Sequence, residues 1–237
     1  MEFPMDILTA TRTCPPVDPP TDELLTFLVD LTHRLNWDKR LVVDVLSPHD
    51  SCCADAYAFV EESYRRNGPA YLLSRSQQLV ESRLEMRERS TVFIARDGHQ
   101  VIHSVLRATP FPFEANVIMP GAADGLRDCR DHVEINRFTS AADRGATLAP
   151  LLLMVSACRW ALEQRAYSGL IGLTRLAQQR LFSRFGLRPV RSEPFIVPQR
   201  GSGEYWLLKG QWHDILPAAV RYFGRPSVDA SSTLSSC

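Results

Sequence analysis

The stretch Asp131-His132-Val133-Glu134-Ile135-Asn136-Arg137-Phe138-Thr139 constrains the fold more than any other. Val133, Ile135, Phe138 and Thr139 favour a β-strand, yet a carboxylate and a guanidinium are set into it, and both are costly to bury without a partner or a task. Ser140 to Ala146 form a short polar turn holding Arg144-Gly145, and an apolar helix follows from about Thr147 to Ala166. Strand, turn and helix in that order present a helix N-terminus to the turn, a place suited to an anion. Glu134 and Arg137 are three apart, so on a regular strand they point to opposite faces; a bulge changes that.

Elements of both kinds surround this unit. Pro4, Pro15, Pro16, Pro19 and Pro20 predict an extended or mobile arm at the start of the chain. Leu24, Leu25, Leu28, Leu31 and Leu35 then recur at helical spacing up to Asn36, an amphipathic helix that docks on the main domain or on a second subunit. Leu41–Leu46 reads as a strand stopped by Pro48, and Cys52 to Arg66 as a helix with aromatic residues, ended by Asn67-Gly68-Pro69. A charged helical stretch from Tyr71 to about Arg87 is a candidate lid. Thr91 to Ala95 and Gln100 to Ala108 flank an Asp97-Gly98 turn, a strong hairpin signal. Pro110, Pro112 and Pro120 predict an irregular segment before the central strand. Beyond the central helix, Gly169–Thr174 reads as a buried strand, Arg175 to Phe185 as a helix capped by Gly186, and 187–190, 194–197 and 204–208 as strands. This alternation implies parallel pairing in the middle of a mixed α/β sheet. The small polar residues after Gly224 predict a disordered tail.

The 237 residues suit one domain over about 37–224, preceded by the arm and helix of residues 1–36 and followed by the tail at 225–237. Twenty-seven basic against 27 acidic residues give no net excess, which argues against general affinity for nucleic acid or anionic membrane. Six cysteines lie scattered without metal-ligand spacing, so no metal site is expected, and the composition fits a reducing cytoplasm. The N-terminal residues lack the pattern of a signal peptide. The longest apolar run, Leu148 to Ala157, is far below the roughly 20 residues that a membrane span needs.

Taken together, the hairpin, the strand feeding a helix through an anion-binding turn, and the strand-helix pair ending in Leu181-Phe182-Ser183-Arg184-Phe185-Gly186-Leu187 resemble the GNAT acyltransferase fold. Glu134-Ile135-Asn136-Arg137-Phe138 is similar to the Glu-x-x-Arg-Phe/Leu signature of the acyl-homoserine lactone synthases and the N-acyl amino acid synthases. Ala56 to Gly68 resembles the first helix of the second family, and Val117 to Arg127 the segment before its signature strand. The similarity spans residues 40 to 192. It implies a mixed, centrally splayed β-sheet flanked by helices. It also implies transfer of a fatty acyl group from an acyl carrier protein thioester to the amine of an amino acid or similar small molecule. No tightly bound cofactor is implied; the donor is acyl-phosphopantetheine on the carrier, or acyl-CoA.

The resemblance also assigns roles. Glu134 becomes the general base that deprotonates the ammonium, and partial burial would raise its pKa toward the working range. Arg137 organises the site or anchors an acceptor carboxylate. Tyr64 and Phe138 line the cleft, and Asn136 and Arg107 join them as substrate contacts, although Arg107 falls about one residue out of register with the lactone-synthase arginine. Arg144 and Gly145 meet the donor phosphate. That turn has one glycine where coenzyme A users have several, which favours a carrier-borne donor. Phe182 stands where many GNAT enzymes place a tyrosine. Six arginines and no acidic residue lie between Gln164 and Ser192; among them Arg175, Arg180, Arg184 and Arg188 suit the acidic helix of a carrier protein, unless they form only a solvated face. His103 and His132 are candidate bases or hydrogen-bonded bystanders, and Tyr205, Trp206 and Trp212 line an acyl tunnel or pack the core. Three alternatives stand beside the amide-forming synthase: a lactone synthase using S-adenosylmethionine, an acetyl-CoA-dependent N-acetyltransferase, and a non-catalytic acyl-binding or partner-docking module.

Overall fold

The computed structural model describes residues 19–36, 40–67, 84–119, 126–141, 148–197 and 203–224. The proline-rich arm, the tail from residue 225, most of the charged stretch after Tyr71, and both Arg144 and Gly145 lie outside them. Helix α1 (Pro19–Leu35) leads into β1 (Leu41–Leu46), α2 (Cys53–Asn67), β2 (Thr91–Asp97) and β3 (Ile102–Pro110). A short α3 (Glu114–Ile118) follows, then β4 (His132–Ser140), α4 (Ala149–Glu163), β5 (Gly169–Thr174) and α5 (Leu176–Arg184). The two-residue strands β6 (Arg188–Pro189) and β7 (Phe195–Ile196), then β8 (Glu204–Gln211) and α6 (Trp212–Phe223), complete the order. Residues 84–89 are also helical.

The strands form one mixed sheet in the order β1-β2-β3-β4-β5-β8-β6, with β7 pairing β8. Among the described strands only β4 and β5 run parallel, as the α4 crossover between them requires. Their pairing covers His132–Ile135 against Gly169–Gly172 and goes no further, while β4 continues to Ser140 along β3 and β5 continues to Thr174 along β8. The two central strands therefore diverge at their C-terminal ends. This is the splayed sheet that the resemblance implied.

Alternation along the strands divides the core between two faces. One face carries Phe93, Ala95, Leu106, Ala108, Val133, Ile135 and Leu170 against α1, α4, α5 and α6. Leu24 and Leu28 of α1 are fully buried there, so this helix docks on the domain's own core. The other face carries Val92, Ile94 and Val105 under α2, and Ile171, Leu173 and Leu207 near α3. A polar cluster lies on that face between the two apolar patches.

Three local readings need correction. The hairpin strands differ in extent from Thr91 to Ala95 and Gln100 to Ala108: β2 runs through Asp97, β3 begins at Ile102, and Gln100 in the loop takes the left-handed conformation at φ 65°. Asp97 Oδ1 closes this longer loop by accepting from the amides of His99 (2.8 Å) and Val101 (3.0 Å). The segment after Pro112 is helical over Glu114–Ile118, although its prolines predicted irregular chain. Finally, α6 was not anticipated, because Pro217 interrupts a sequence that otherwise repeats apolar Trp212, Ile215 and Ala219 on one side. Pro217 and the residue four before it, His213, are both exposed, so the carbonyl left without an amide partner lies on the face that water reaches.

Candidate active site

The site begins with a bulge. Val105 pairs Thr139 and Arg107 pairs Asn136, so two steps along β3 match three along β4. The extra residue is Arg137, at φ 52°. A left-handed arginine costs about 1 to 2 kcal/mol, which the surrounding contacts must offset. The bulge puts Arg137 on the same face as Glu134 and Asn136 and turns Phe138 to the other. Phe138 therefore does not line the cleft as expected; it packs on the α4 side, edge-on to Phe182 with ring centroids 6.5 Å apart.

Around the bulge the polar groups form one buried network. Glu134, 1% exposed, accepts hydrogen bonds from the amides of Glu114 (2.6 Å) and Ala115 (3.3 Å) and from Asn136 Nδ2 (3.1 Å). It thereby satisfies the first amides of α3, which have no partner within that helix. Glu114 turns its own carboxylate to two guanidiniums: Oε2 meets Arg107 Nη2 and Oε1 meets Arg137 Nη2, each at 2.6 Å. Arg107 Nε also donates to Asn136 Oδ1 at 2.8 Å, and Asn136 Nδ2 donates to Thr109 at 3.1 Å. Arg89 donates to the carbonyls of Pro110 (2.9 Å) and Pro112, holding the chain that leads into α3.

Beside the network, a cleft is lined by Tyr57, Val60, Glu61 and Tyr64 of α2, by Arg87, and by Arg107 and Arg137. Arg87 stacks over the Tyr57 ring at 4.2 Å and pairs with Glu61 at 2.8 Å. The Tyr57 hydroxyl is buried and meets no hydrogen-bond partner in good geometry; burial raises its pKa, and the neighbouring Arg107 only partly opposes this. Burial, reinforced by the Glu114 carboxylate, pushes Glu134 up to about 7, against the opposing pull of Arg107. With Glu134 protonated, Arg107 and Arg137 face the single charge of Glu114. The cleft wall then favours an anionic group.

Of the expected substrate contacts, Tyr64, Arg107 and Arg137 lie on the cleft wall. Asn136 lies behind it as a brace. Glu134 also lies behind it, so direct contact between this carboxylate and a bound amine is not present in this arrangement. Glu114, which joins the two arginines, was missed. Its place in Pro110-Phe111-Pro112-Phe113-Glu114, amid prolines, carried no periodic signal that it faces inward.

The remaining candidates are dispersed. Arg180 and Arg184, four apart, share a side of α5. Arg184 stacks over Tyr222 at 4.4 Å, while Arg175 is held by the Tyr205 hydroxyl at 3.1 Å and Arg188 lies exposed on β6. His132 is 1% exposed, with Asp131 and Ser168 both near Nδ1 at 2.9 and 3.1 Å, and burial holds its pKa below the usual value. His103 pairs with Asp97 in the hairpin. Both histidines lie off the cleft wall. Tyr205 packs on the α3 side of the sheet, Trp206 and Trp212 on the α4 side, so they share no tunnel wall. Among the described residues no group of side chains could hold a metal ion, and no helix is long and apolar enough to cross a membrane.

No family model and no curated protein sequence matches the chain. Solved structures do. FeeM, an N-acyl amino acid synthase from uncultured soil microbes, is similar at 14% identity over 77% of this chain and 97% of its own, with a TM-score of 0.61. The AHL synthase LasI is similar at 14% identity over 78% and 95%, with a TM-score of 0.60. A candidate N-acetyltransferase from Lactobacillus plantarum is similar at 16% identity over 73% and 99%, with a TM-score of 0.52. At such identities the common property is the path of the chain, and that path, with its splayed parallel pair, is the GNAT acyltransferase fold.

Proposed function

We propose that this protein is an N-acyltransferase that moves a fatty acyl group from an acyl carrier protein thioester to the amine of an amino acid. The observation that carries the reading is the pair of buried guanidiniums, Arg107 and Arg137, on the wall of a tyrosine-lined cleft beside the diverging strands. Two guanidiniums suit the carboxylate of an amino acid and would aim its amine toward a thioester entering between β4 and β5. The amine then attacks the carbonyl carbon, the C–S bond breaks, and the thiolate takes a proton as the amide forms. The ammonium must first lose a proton. Glu134 has a suitable pKa of about 7 but is screened from the cleft by Asn136 and Arg107, and neither group relays a proton readily, so the proton leaves to solvent. The exposed Leu176 beside Arg175 and Arg180 at the start of α5 supports carrier docking next to the diverging strands.

The test is an incubation of the full chain with carrier protein loaded with acyl groups of several lengths, with the matching acyl-CoA, and with acetyl-CoA. Each donor is offered an amino acid mixture or S-adenosylmethionine, and products are identified by mass spectrometry. N-acyl amino acids from the loaded carrier support the reading. A lactone from S-adenosylmethionine, N-acetyl products from acetyl-CoA alone, or carrier binding without product each replaces it with another reading.

A further inference from the structure

We propose that Glu114 is a positioning residue: its carboxylate joins the guanidiniums of Arg107 and Arg137 into one fork at the cleft, and the fork selects acceptors that carry a carboxylate. The inference rests on the amide-forming reading above. Its basis is geometric. The Glu114 side chain is 5% exposed, and its two oxygens are divided between two arginines, Oε2 to Arg107 and Oε1 to Arg137, both at 2.6 Å. Arg107 comes from β3 and Arg137 from the β4 bulge; the ladder pairs Arg107 with Asn136, which sets the two backbones side by side, and Glu114 bridges the ends of the two guanidiniums.

Glu114 is itself held from three sides. Its amide donates to Glu134 at 2.6 Å, the amide of Ala115 donates to the same carboxylate, and Arg89 clasps the carbonyls of Pro110 and Pro112 just upstream. Glu134 thus acts on the cleft through Glu114, without touching what enters it. A five-residue helix is a weak platform alone, because so few of its amides find partners within it. The Glu134 carboxylate supplies that missing anchor. The fork costs little to reorganise during reaction because it is already assembled and largely buried.

Positioning can be separated from simple support of the fold by the choice of acceptor. The wild type and Glu114→Gln are compared on an amino acid acceptor and on the corresponding decarboxylated primary amine, with the same loaded carrier. A carboxylate-bearing acceptor uses the fork; the amine does not. Glu114→Gln is expected to lower kcat/KM for the amino acid by about 10- to 100-fold, the range of a lost charge-assisted contact and a misplaced acceptor, and to change that for the amine by less than about threefold. Equal losses on both acceptors would show general support of the fold, and no loss on either would show that the fork works without Glu114; both overturn the proposal.

Where Glu114→Gln fails to fold, Glu114→Asp serves. It keeps the charge but shortens the reach, and the same selective loss is expected. If the wild type transfers no acyl group to any amine, the functional reading has failed, and the fork is then judged without turnover. The Nη–H signals of Arg107 and Arg137, assigned by their loss in Arg107→Lys and Arg137→Lys, are expected to be protected from solvent exchange in the wild type and unprotected in folded Glu114→Gln. Protection that survives the substitution overturns the fork.

Discussion

Replacing Glu134 with glutamine tests the energetics of the buried network directly. An ordinary glutamate titrates near 4.5, and in the folded chain Glu134 does so at about 7. Between these values the folded state holds a proton that the unfolded chain has released, so this residue's contribution to stability is fully present below pH 4.5 and is lost as pH rises to about 7. That gap is worth roughly 3 kcal/mol at about 1.4 kcal/mol per pH unit. Glutamine cannot ionise, so Glu134→Gln removes this slope. Its oxygen can still accept from the Glu114 amide, but its NH2 group cannot accept from the Ala115 amide as the hydroxyl oxygen of a neutral carboxyl can, so the variant should be the less stable protein at pH 5. Buried His132, whose pKa is lowered, contributes a slope of the opposite sign at mildly acidic pH; it is present in both proteins and cancels in the difference. Urea unfolding followed by tryptophan fluorescence at pH 5, 6, 7 and 8 reads the effect. Wild-type stability minus variant stability should fall by up to about 3 kcal/mol from pH 5 to pH 8. A difference constant to within about 0.5 kcal/mol would refute the reading of Glu134 as a carboxyl held neutral by burial.

Two further outcomes follow from packing and charge. A Cβ on Gly172 would lie 2.6 Å from Cε1 of Phe182, so Gly172→Ala should destabilise by about 1 to 3 kcal/mol, and Phe182→Leu in the same chain should recover part of the loss; strictly additive melting shifts would contradict this contact. Reversing charge with Arg180→Glu and Arg184→Glu should lower the rate from carrier-borne donor relative to the rate from acyl-CoA by about tenfold at 0.1 M salt, with the difference shrinking at 0.5 M. A ratio that does not move would remove α5 from the docking surface.

Much of the fold lay on the surface of the sequence because each element answers to its own periodicity. The leucines of α1 and the continuous apolar run Gly169–Thr174 sit where their patterns put them, since burial of one face or both is decided residue by residue. The signature strand also announced its two charged residues. It did not announce how they are used. Helix α6 was hidden by Pro217, which reads as a breaker until the tertiary structure puts it and His213, four residues before it, on the exposed side of the helix.

The sequence by itself determined that a strand carrying Glu134 and Arg137 runs through the core and feeds a buried helix, because apolar spacing is a local property. Only the tertiary structure decided which carboxylate meets which arginine. A single inserted residue in the β3–β4 ladder swings Arg137 across the sheet and Phe138 away from it, and Glu114 arrives from a separate segment to join the two guanidiniums. Contacts of that kind depend on strand register and on chain brought from elsewhere, and neither quantity is written in the spacing of residues along one strand.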